Sequence, residues 1–178
     1  MLRLQTFTPT DFDQLIQWSG DAAFLLQWAG PQFRYPLSID QLESYMQGAN
    51  NKDSSDRLIY KVVDESINET VGHLCLSLDR DNRSGRIGKV LLGTNHQGKG
   101  YGEQMIREAL RIGFDDYHLH RISLGVFDFN HSAIRCYEKS GFVQEGLIRD
   151  ARRYKDIFWN LIEMSILEEE WKRMSKAE

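Results

Sequence analysis

The sequence predicts a mixed α+β fold whose centre is a mostly antiparallel β-sheet. Three β-rich segments follow one another in the middle of the chain and are separated only by polar turns, which is typical of an antiparallel meander. Helical and strand patterns then alternate, and the chain closes on a pair of strand patterns. No internal repeat, low-complexity tract or linker interrupts these patterns, so we expect residues 1–178 to form a single domain.

The first quarter of the chain has the pattern of one strand followed by two short helices. Residues 2–7 alternate in hydrophobicity as a strand does, and Thr10, with the acidic residues after it, predicts the start of a helix. Ser38 and Gln41 have the spacing of a capping box, which predicts a second helix. The intervening stretch "QWAGPQFRYP" is aromatic and rich in helix breakers, so we expect an ordered loop over the core or the wall of a groove.

The rest of the chain divides into six strands and two helices. Apolar residues recur at helical spacing from Met105 to Phe114, which indicates an amphipathic helix. A second helix begins after Asn130, a good N-cap, and ends at Gly141, which suits a left-handed C-cap. The strand patterns are "LIYKVVD", "VGHLCLSLD" and "RIGKVLLG" in the meander, then "RISLGVF", and finally "FVQEGLIRD" and "IFWNLIEMSIL".

The charge of the chain argues against a nucleic-acid partner. The formal net charge is −4, so no overall basic field is present to hold a polyanion. A mild excess of carboxylates suits a cationic acceptor such as an amine, although many soluble proteins carry the same excess for solubility alone.

The start of the chain, its apolar segments and its cysteines indicate neither secretion nor metal binding. The start "MLRLQTFTPTDFDQL" lacks the apolar core of a signal peptide, and no apolar run approaches the roughly 20 residues of a membrane span. We therefore expect a cytoplasmic protein with no membrane partner. Cys75 and Cys136 lack Cys-x-x-Cys spacing, so we expect two buried thiols and no metal site.

The stretch "HQGKGYGEQM" places three glycines between a strand and a helix. A loop of this kind exposes unpaired backbone N–H groups at the positive end of the helix dipole, so an anion is expected to bind there. The spacing excludes a Walker loop, because Gly100 follows Lys99 where Ser or Thr is required. It also excludes a dinucleotide fingerprint, because Gly102 comes one residue too early. A structural turn with incidental glycines is the alternative.

Two motifs together resemble the signatures of the GNAT superfamily of N-acetyltransferases. The first is Gln/Arg-x-x-Gly-x-Gly/Ala, and the second, about thirty residues later, is Asn-x-x-Ala-x-x-x-Tyr-Glu-Lys-x-Gly-Phe. The resemblance covers roughly residues 58–167, and the segments "WAGPQFRYPLSIDQLESY" and "EGLIRDARRYKDIFWNLIEMSIL" look most like the RimJ/RimL-type branch and related spermidine acetyltransferases. The residues that match are Gln97, Gly100 and Gly102 in the first motif and Asn130, Ala133, Tyr137, Glu138, Lys139, Gly141 and Phe142 in the second.

The resemblance implies an acetyl-CoA-dependent N-acetyltransferase with a GNAT-type twisted sheet of about seven strands and helices on both faces. Acetyl-CoA is the implied cosubstrate, and the acceptor is a primary amine that attacks directly in a ternary complex. That acceptor is a protein N-terminal α-amine, a polyamine or an aminoglycoside, and a homodimer is one option for the assembly. Tyr137 is the implied proton donor to the departing thiolate. The implied cofactor-binding residues are Val90, Leu91, Leu92, Gln97, Gly98, Lys99, Gly100, Tyr101, Gly102 and Asn130.

Several of these residues also have an ordinary structural interpretation. Tyr137 lies on an apolar helix face and could belong to the core. Val90 and Leu91, whose backbone N–H groups are the expected partners of the thioester carbonyl, could be ordinary buried strand residues. Lys99 pairs with a coenzyme phosphate in one interpretation and is solvated at the loop tip in the other.

The sequence does not identify the base that deprotonates the amine. Many GNAT relatives carry a glutamate on the strand before the glycine loop, whereas this chain has Arg86 in that place. His73 could line the groove, or it could be a satisfied structural histidine. The absent glutamate favours the alternative function, an acyl-CoA-binding sensor or interaction module without turnover. Phosphoryl transfer is a third and weaker hypothesis, because it would require nucleotide binding.

Overall fold

A computed structural model describes residues 1–176, and the last two residues of the predicted domain lie outside the described residues. Within this range, seven strands form one sheet. They are β1 (Leu2–Thr6), β2 (Arg57–Asp64), β3 (Glu69–Asp79), β4 (Ser84–Leu92), β5 (Arg121–Phe127), β6 (Val143–Tyr154) and β7 (Ile157–Leu167). Their order in the sheet is β1-β2-β3-β4-β5-β7-β6, and all neighbours are antiparallel except β4 and β5. The predicted fold class, including the meander, is confirmed.

Six α-helices, counted over the same residues, cover both faces of the sheet. A core cluster that includes Leu15, Leu25 and Leu42 packs the three N-terminal helices onto one face. A second cluster that includes Met105 and Ile134 packs later helices onto the opposite face. The helices are α1 (Phe12–Trp18), α2 (Ala22–Ala29), α3 (Ile39–Met46), α4 (Tyr101–Arg111), α5 (His131–Lys139) and α6 (Glu168–Ser175). None of them is long and apolar enough to cross a membrane.

The N-terminal region contains three helices instead of the two that the sequence predicts. Asp21 begins α2, because its side chain accepts a hydrogen bond of 2.8 Å from the backbone N–H of Phe24. The first three residues of the expected loop at 27–36 therefore complete a helix. The aromatic remainder is ordered over the core, where Phe33 is buried.

The capping details of this region also differ from the prediction. Helix α3 starts after Ser38 as expected, but the Ser38 side chain makes no cap bond. Gln41 instead accepts from the backbone N–H of Arg34 at 2.7 Å and donates to its carbonyl at 3.0 Å. Asp11, and not Thr10, is the N-cap residue of α1. Its carboxylate accepts hydrogen bonds from the backbone N–H and the hydroxyl of Thr8, which caps the 3-10 turn before the helix.

Helix α6 follows the closing strands and was not predicted. Its Trp171 stacks on Phe114 with ring centroids 6.0 Å apart, which joins the end of the described chain to the cluster beneath α4. The segment "EEEWKR" carries the signal in its acidic first turn and basic last turn.

Strands β4 and β5 separate soon after they meet, and this separation positions the site. They pair only where Ser84–Arg86 faces Arg121–Ser123. Beyond that point β4 has an irregular register against β3, and Lys89 adopts a left-handed conformation with φ 51°. A β-bulge of this kind bends a strand away from its partner. A gap therefore opens in the middle of the sheet.

Candidate active site

A groove of about 670 Å³ occupies the gap between β4 and β5. The glycine loop and α4 line one end, α5 lines one side, and Phe24, Gln27 and Trp28 of α2 close the other end. Of the residues that the sequence singled out, the groove is lined by Val90, Leu91, Leu92, Gln97, Gly98, Gly100, Gly102, Asn130 and Tyr137. The side chains of Lys99 and Tyr101 are not part of the lining.

The glycine loop presents a bare backbone to open space. Gly98 and Gly100 have φ values of +74° and +77°, a left-handed backbone conformation that residues other than glycine rarely adopt. A Cβ atom on Gly98 would meet no atom within 4 Å, and one on Gly100 would meet only the side-chain nitrogen of Gln104 at 4.0 Å. Gly100 directly precedes α4, whose first N–H groups have no intrahelical partner. The cradle therefore fits a pyrophosphate group.

Tyr101, at the start of α4, connects the glycine loop to the sheet. Its hydroxyl donates a hydrogen bond of 2.7 Å to the carboxylate of Asp64 at the end of β2. Hydrogen bonds from Ser66 and then from Tyr101 lower the pKa of Asp64 to about 2. The tyrosine side chain thus ties the start of α4 to the meander.

Gly102 and Cys136 bring α4 and α5 close together at the groove. A Cβ atom on Gly102 would lie 3.2 Å from the Sγ atom of Cys136, so the cysteine side chain would have to move slightly to make room for a larger residue. Cys75 is buried as expected, but the expectation of a buried Cys136 is wrong. Cys136 is partly exposed because it lies on the groove side of α5.

Tyr137 belongs to the core and to the groove at the same time. It is 7% exposed, its ring packs at 6.1 Å from that of Phe142, and it lines the groove from α5. Burial raises the pKa of its hydroxyl, which therefore keeps its proton at neutral pH. Asn130 begins the same helix, where its side chain accepts a bond of 3.3 Å from the N–H of Ala133.

Arg86 lies where β4 and β5 separate and holds a carboxylate that sequence reasoning missed. Its guanidinium donates two hydrogen bonds, of 2.9 and 2.8 Å, to the two oxygens of Glu163 on β7. A Cβ atom on Gly125 would lie 2.8 Å from the same guanidinium, so the glycine makes room for it. The place expected for a base therefore contains a neutralised ion pair.

Comparison with known proteins identifies the family. The family model described as an acetyltransferase (GNAT) domain matches residues 1–143. The chain belongs to the GNAT acetyltransferase family. As a member of this family it is an acetyl-CoA-dependent N-acetyltransferase, and the glycine cradle in the groove fits this donor.

Related acetyltransferases differ in the amines that they are named for. Aminoglycoside N(6')-acetyltransferase type 1 of Klebsiella pneumoniae is 26% identical over 152 residues, which cover 82% of this chain and 75% of that protein. Spermidine N(1)-acetyltransferase of Vibrio cholerae is 30% identical over 125 residues, with coverage of 67% and 70%. The crystal structure of Vibrio cholerae spermidine N-acetyltransferase with CoA and spermine has a TM-score of 0.82 at 24% identity, covering 96% of this chain and 98% of that one. That likeness confirms the GNAT fold.

His73 of this acetyltransferase lies in the core instead of the groove. It is 1% exposed, and its Nε2 atom is 3.3 Å from the hydroxyl of Tyr45. Burial, and then the charge of Lys89, lower its pKa to about 3. The imidazole is therefore neutral at physiological pH and is a core residue. It is not fully satisfied, because its buried Nδ1 atom has no hydrogen-bond partner within the described chain.

The charged lining of the acetyltransferase groove contains few carboxylates. Glu103 on α4 is the only one that lines it among residues 1–176, and it forms an ion pair with Arg107. Lys89 on β4 also lines the groove, and sequence reasoning missed it. The available signal was a single charged residue within the strand pattern "IGKVLLG". No group of three or more His, Cys, Asp or Glu side chains that could hold a metal ion occurs in the described part of the chain.

Proposed function

We propose that this acetyltransferase transfers the acetyl group of acetyl-CoA to a primary amine by direct attack in a ternary complex, within a single domain spanning 1–178. The observation that carries the proposal is the groove itself, which runs from the glycine cradle past Tyr137 to α2. A donor bound from one end and an acceptor that enters from the other would meet where β4 and β5 separate. Direct transfer requires such a meeting point.

The donor side is supported by the backbone of the loop and of β4. Gly98 and Gly100 leave space for a pyrophosphate beside the start of α4. Because β4 pairs with β5 only as far as Arg86, part of the backbone of Val90 and Leu91 is available to a ligand in the gap. We assign this edge to the pantetheine arm and to the thioester carbonyl.

Tyr137 is the proposed proton donor to the departing thiolate. Its phenol is protonated at neutral pH, and the residue lines the groove from α5. Burial raises the pKa of a thiol as it does that of a phenol, so proton transfer between the two groups remains accessible. We assign no side chain as acceptor of the amine proton. The position expected for a basic glutamate is occupied by Arg86, and the carboxylate beside it, Glu163, is neutralised by that arginine.

The relatives and the sequence suggest three classes of primary amine as the acceptor, namely a polyamine, an aminoglycoside or a protein N-terminus. The first two classes are supported by the names of the relatives in Vibrio cholerae and Klebsiella pneumoniae. The third follows from the resemblance of the C-terminal strands to the RimJ/RimL-type branch.

A thiol-release assay with an amine panel tests the proposal. We expect stoichiometric release of free coenzyme A with at least one primary amine and formation of the N-acetyl product. Binding of acetyl-CoA measured by calorimetry is the companion experiment. Tight binding of acetyl-CoA with no release for any amine would overturn the proposal in favour of an acyl-CoA sensor.

A further inference from the structure

Lys89 has an unusual conformation for a strand residue. It lies within an apolar segment of β4, yet its φ of 51° is in the left-handed region. Residues other than glycine adopt this conformation only at a cost in free energy, and such strain clusters at functional sites. The strain coincides with the irregular register against β3 that opens the groove.

The ammonium group of Lys89 is surrounded by neutral partners. It donates a hydrogen bond to the side-chain oxygen of Gln32 and lies 5.5 Å from the ring centroid of Phe33 and 5.0 Å from that of Tyr45. Over residues 1–176, no carboxylate forms an ion pair with it. Burial lowers the pKa of this partly buried amine, as expected for a charge without a counter-ion.

A second cation lies on the same aromatic residue. The guanidinium carbon of Arg57 is 5.7 Å from the ring centroid of Tyr45. One of its nitrogens donates to the carbonyl of Gln47 at 2.9 Å, whereas its buried Nε has no hydrogen-bond partner. It likewise makes no ion pair within the described chain. Two cations without counter-ions therefore flank one ring, although like charges repel each other.

A cavity of about 370 Å³ adjoins these two cations. Gln32, Phe33, Tyr45 and Arg57 line it, and the first three also contact the end of Lys89, a residue of β4 that lines the main groove. Its remaining lining residues are Asp40, Gln41 and Ser44. Asp40 is exposed, so the carboxylate belongs to the solvent side of the cavity. Lys89 thus connects this cavity with the acceptor end of the groove.

We propose that Lys89 and Arg57 form an anion-binding subsite and that the physiological acceptor is a primary amine that also carries a carboxylate, such as an amino acid or a short peptide. This inference rests on the proposed function and specifies its substrate class. The carboxylate supplies the counter-ion that both cations lack, while the amine points along the groove toward the thioester. The two planar rings at the ammonium contact the adjacent part of the acceptor.

A polyamine fits this end of the groove poorly. Its second ammonium would approach Lys89, and like charges at short range destabilise each other. Glu163, the carboxylate at the junction of β4 and β5, is already neutralised by Arg86. Glu103, which lines the groove from α4, forms an ion pair with Arg107. An aminoglycoside, which carries several ammonium groups, meets the same obstacle.

The test compares acceptors that differ only in the carboxylate. We expect kcat/KM for free amino acids to exceed that for the corresponding amino-acid amides by at least about tenfold, the size of effect that one ionic hydrogen bond produces. Free amino acids and peptides with an acidic residue are separate arms, which distinguish the two sources of the carboxylate. Spermidine and an aminoglycoside complete the panel.

Variants of Lys89 and Arg57 test whether the preference for carboxylate-bearing acceptors depends on these two side chains. Lys89→Met keeps an unbranched side chain that is one atom shorter and removes its charge, and Arg57→Gln removes the guanidinium. We expect each to reduce the preference for the carboxylate acceptor toward unity, through KM and not through kcat. Lys52→Met, at an exposed lysine outside both cavities, is the matched control and should keep the preference. Thermal melting verifies that every variant folds.

Equilibrium binding separates failure of the subsite from failure of the proposed function. Calorimetry with coenzyme A present measures acceptor binding without turnover. Binding of a carboxylate amine that depends on Lys89, with no turnover, would overturn the enzyme proposal and support the subsite. Turnover of spermidine above that of every amino acid, or a preference that survives both variants, would overturn the subsite and leave the enzyme proposal intact.

Discussion

Tyr137 combines two properties at the scale of a single residue: its ring is buried in the core, and the residue lines the groove. We predict that Tyr137→Phe lowers kcat by about 100-fold, because only the proposed proton donor is removed. The dissociation constant of acetyl-CoA should stay within about twofold, since the ring and its contact with Phe142 are retained. Steady-state kinetics and calorimetry measure the two quantities.

Tyr60 provides the matched control for this substitution. It is a partly buried tyrosine of β2 whose pKa is also raised, chiefly by burial, but it does not line the groove. Tyr60→Phe should therefore keep full turnover. A similar loss of kcat in both variants would mean that the hydroxyl of Tyr137 acts only through packing.

His73 makes stability depend on pH in a defined direction. Its pKa is about 3 in the folded protein, mainly because of burial, against an ordinary value of 6.5. Below pH 6.5 the unfolded chain binds a proton that the folded chain excludes, so stability falls as the pH falls. One such group contributes a loss of about 2 kcal/mol between pH 7 and pH 5. Above pH 7 its contribution is constant.

Urea denaturation of His73→Phe tests this dependence. The phenyl ring suits a site that already contacts the rings of Phe7 and Trp28, so the variant should fold. We expect its stability to be nearly flat from pH 7 to pH 5. His131→Phe, at an exposed histidine, should keep the wild-type slope. An unchanged slope in His73→Phe would assign the acid sensitivity to other groups.

The residues that sequence analysis found and missed differ in how far their partners lie along the chain. The glycine loop and Tyr137 belong to local motifs, so spacing alone identifies them. Arg86 and Glu163 are 77 positions apart and meet only because β5 places β4 and β7 on either side of it. Lys89 depends on a bulge and on the loop after α2, neither of which has a strong local signature.

At the scale of elements, the glycine loop and the start of α4 act as one binding unit. We predict that Gly100→Val raises the dissociation constant of acetyl-CoA at least about tenfold, because a branched side chain would fill the open cradle and disfavour the left-handed backbone. Calorimetry with acetyl-CoA measures the change.

Gly48→Val separates backbone strain from loss of the cradle. Gly48 has a φ of +72° and equally open space at its Cβ position, but it does not line the groove. This variant should lose stability as Gly100→Val does and yet bind acetyl-CoA normally. If the wild-type protein, Gly100→Val and Gly48→Val all bound acetyl-CoA with equal affinity, the proposed role of the glycine loop would be refuted.

The helices were harder to predict than the strands for a local reason. The strands of the meander have long β-rich patterns, and their order follows from short turns. Helix α2, which begins after its cap at Asp21, has only eight residues. Its last three residues belong to the aromatic stretch 27–36, whose helix breakers predict a loop. At α3 the capping-box spacing was present, but the Gln41 side chain bonds to the preceding loop instead.

At the scale of the whole molecule, the sheet consists of two parts with a weak junction. Strands β1–β4 form one part and β5, β7 and β6 form the other, and the two share three paired positions. The ion pair between Arg86 and Glu163 reinforces this junction across β5. The groove opens where pairing ends, so a ligand in it contacts both parts.

A ligand that bridges the two parts should stabilise the whole molecule. At a concentration of 100 times its dissociation constant, coenzyme A is expected to add about 2.7 kcal/mol, which for a chain of this size raises Tm by roughly 5 to 11 °C. Because β4 and β5 do not pair beyond Arg86, we also expect slower hydrogen exchange at the amides of 89–92 and 125–127 in the complex. Differential scanning calorimetry and hydrogen exchange measure the two effects, and Gly100→Val should reduce both at the same ligand concentration. Protection confined to the glycine loop and α4 would contradict the bridging position, since the ligand would then contact one part of the sheet and leave the gap open.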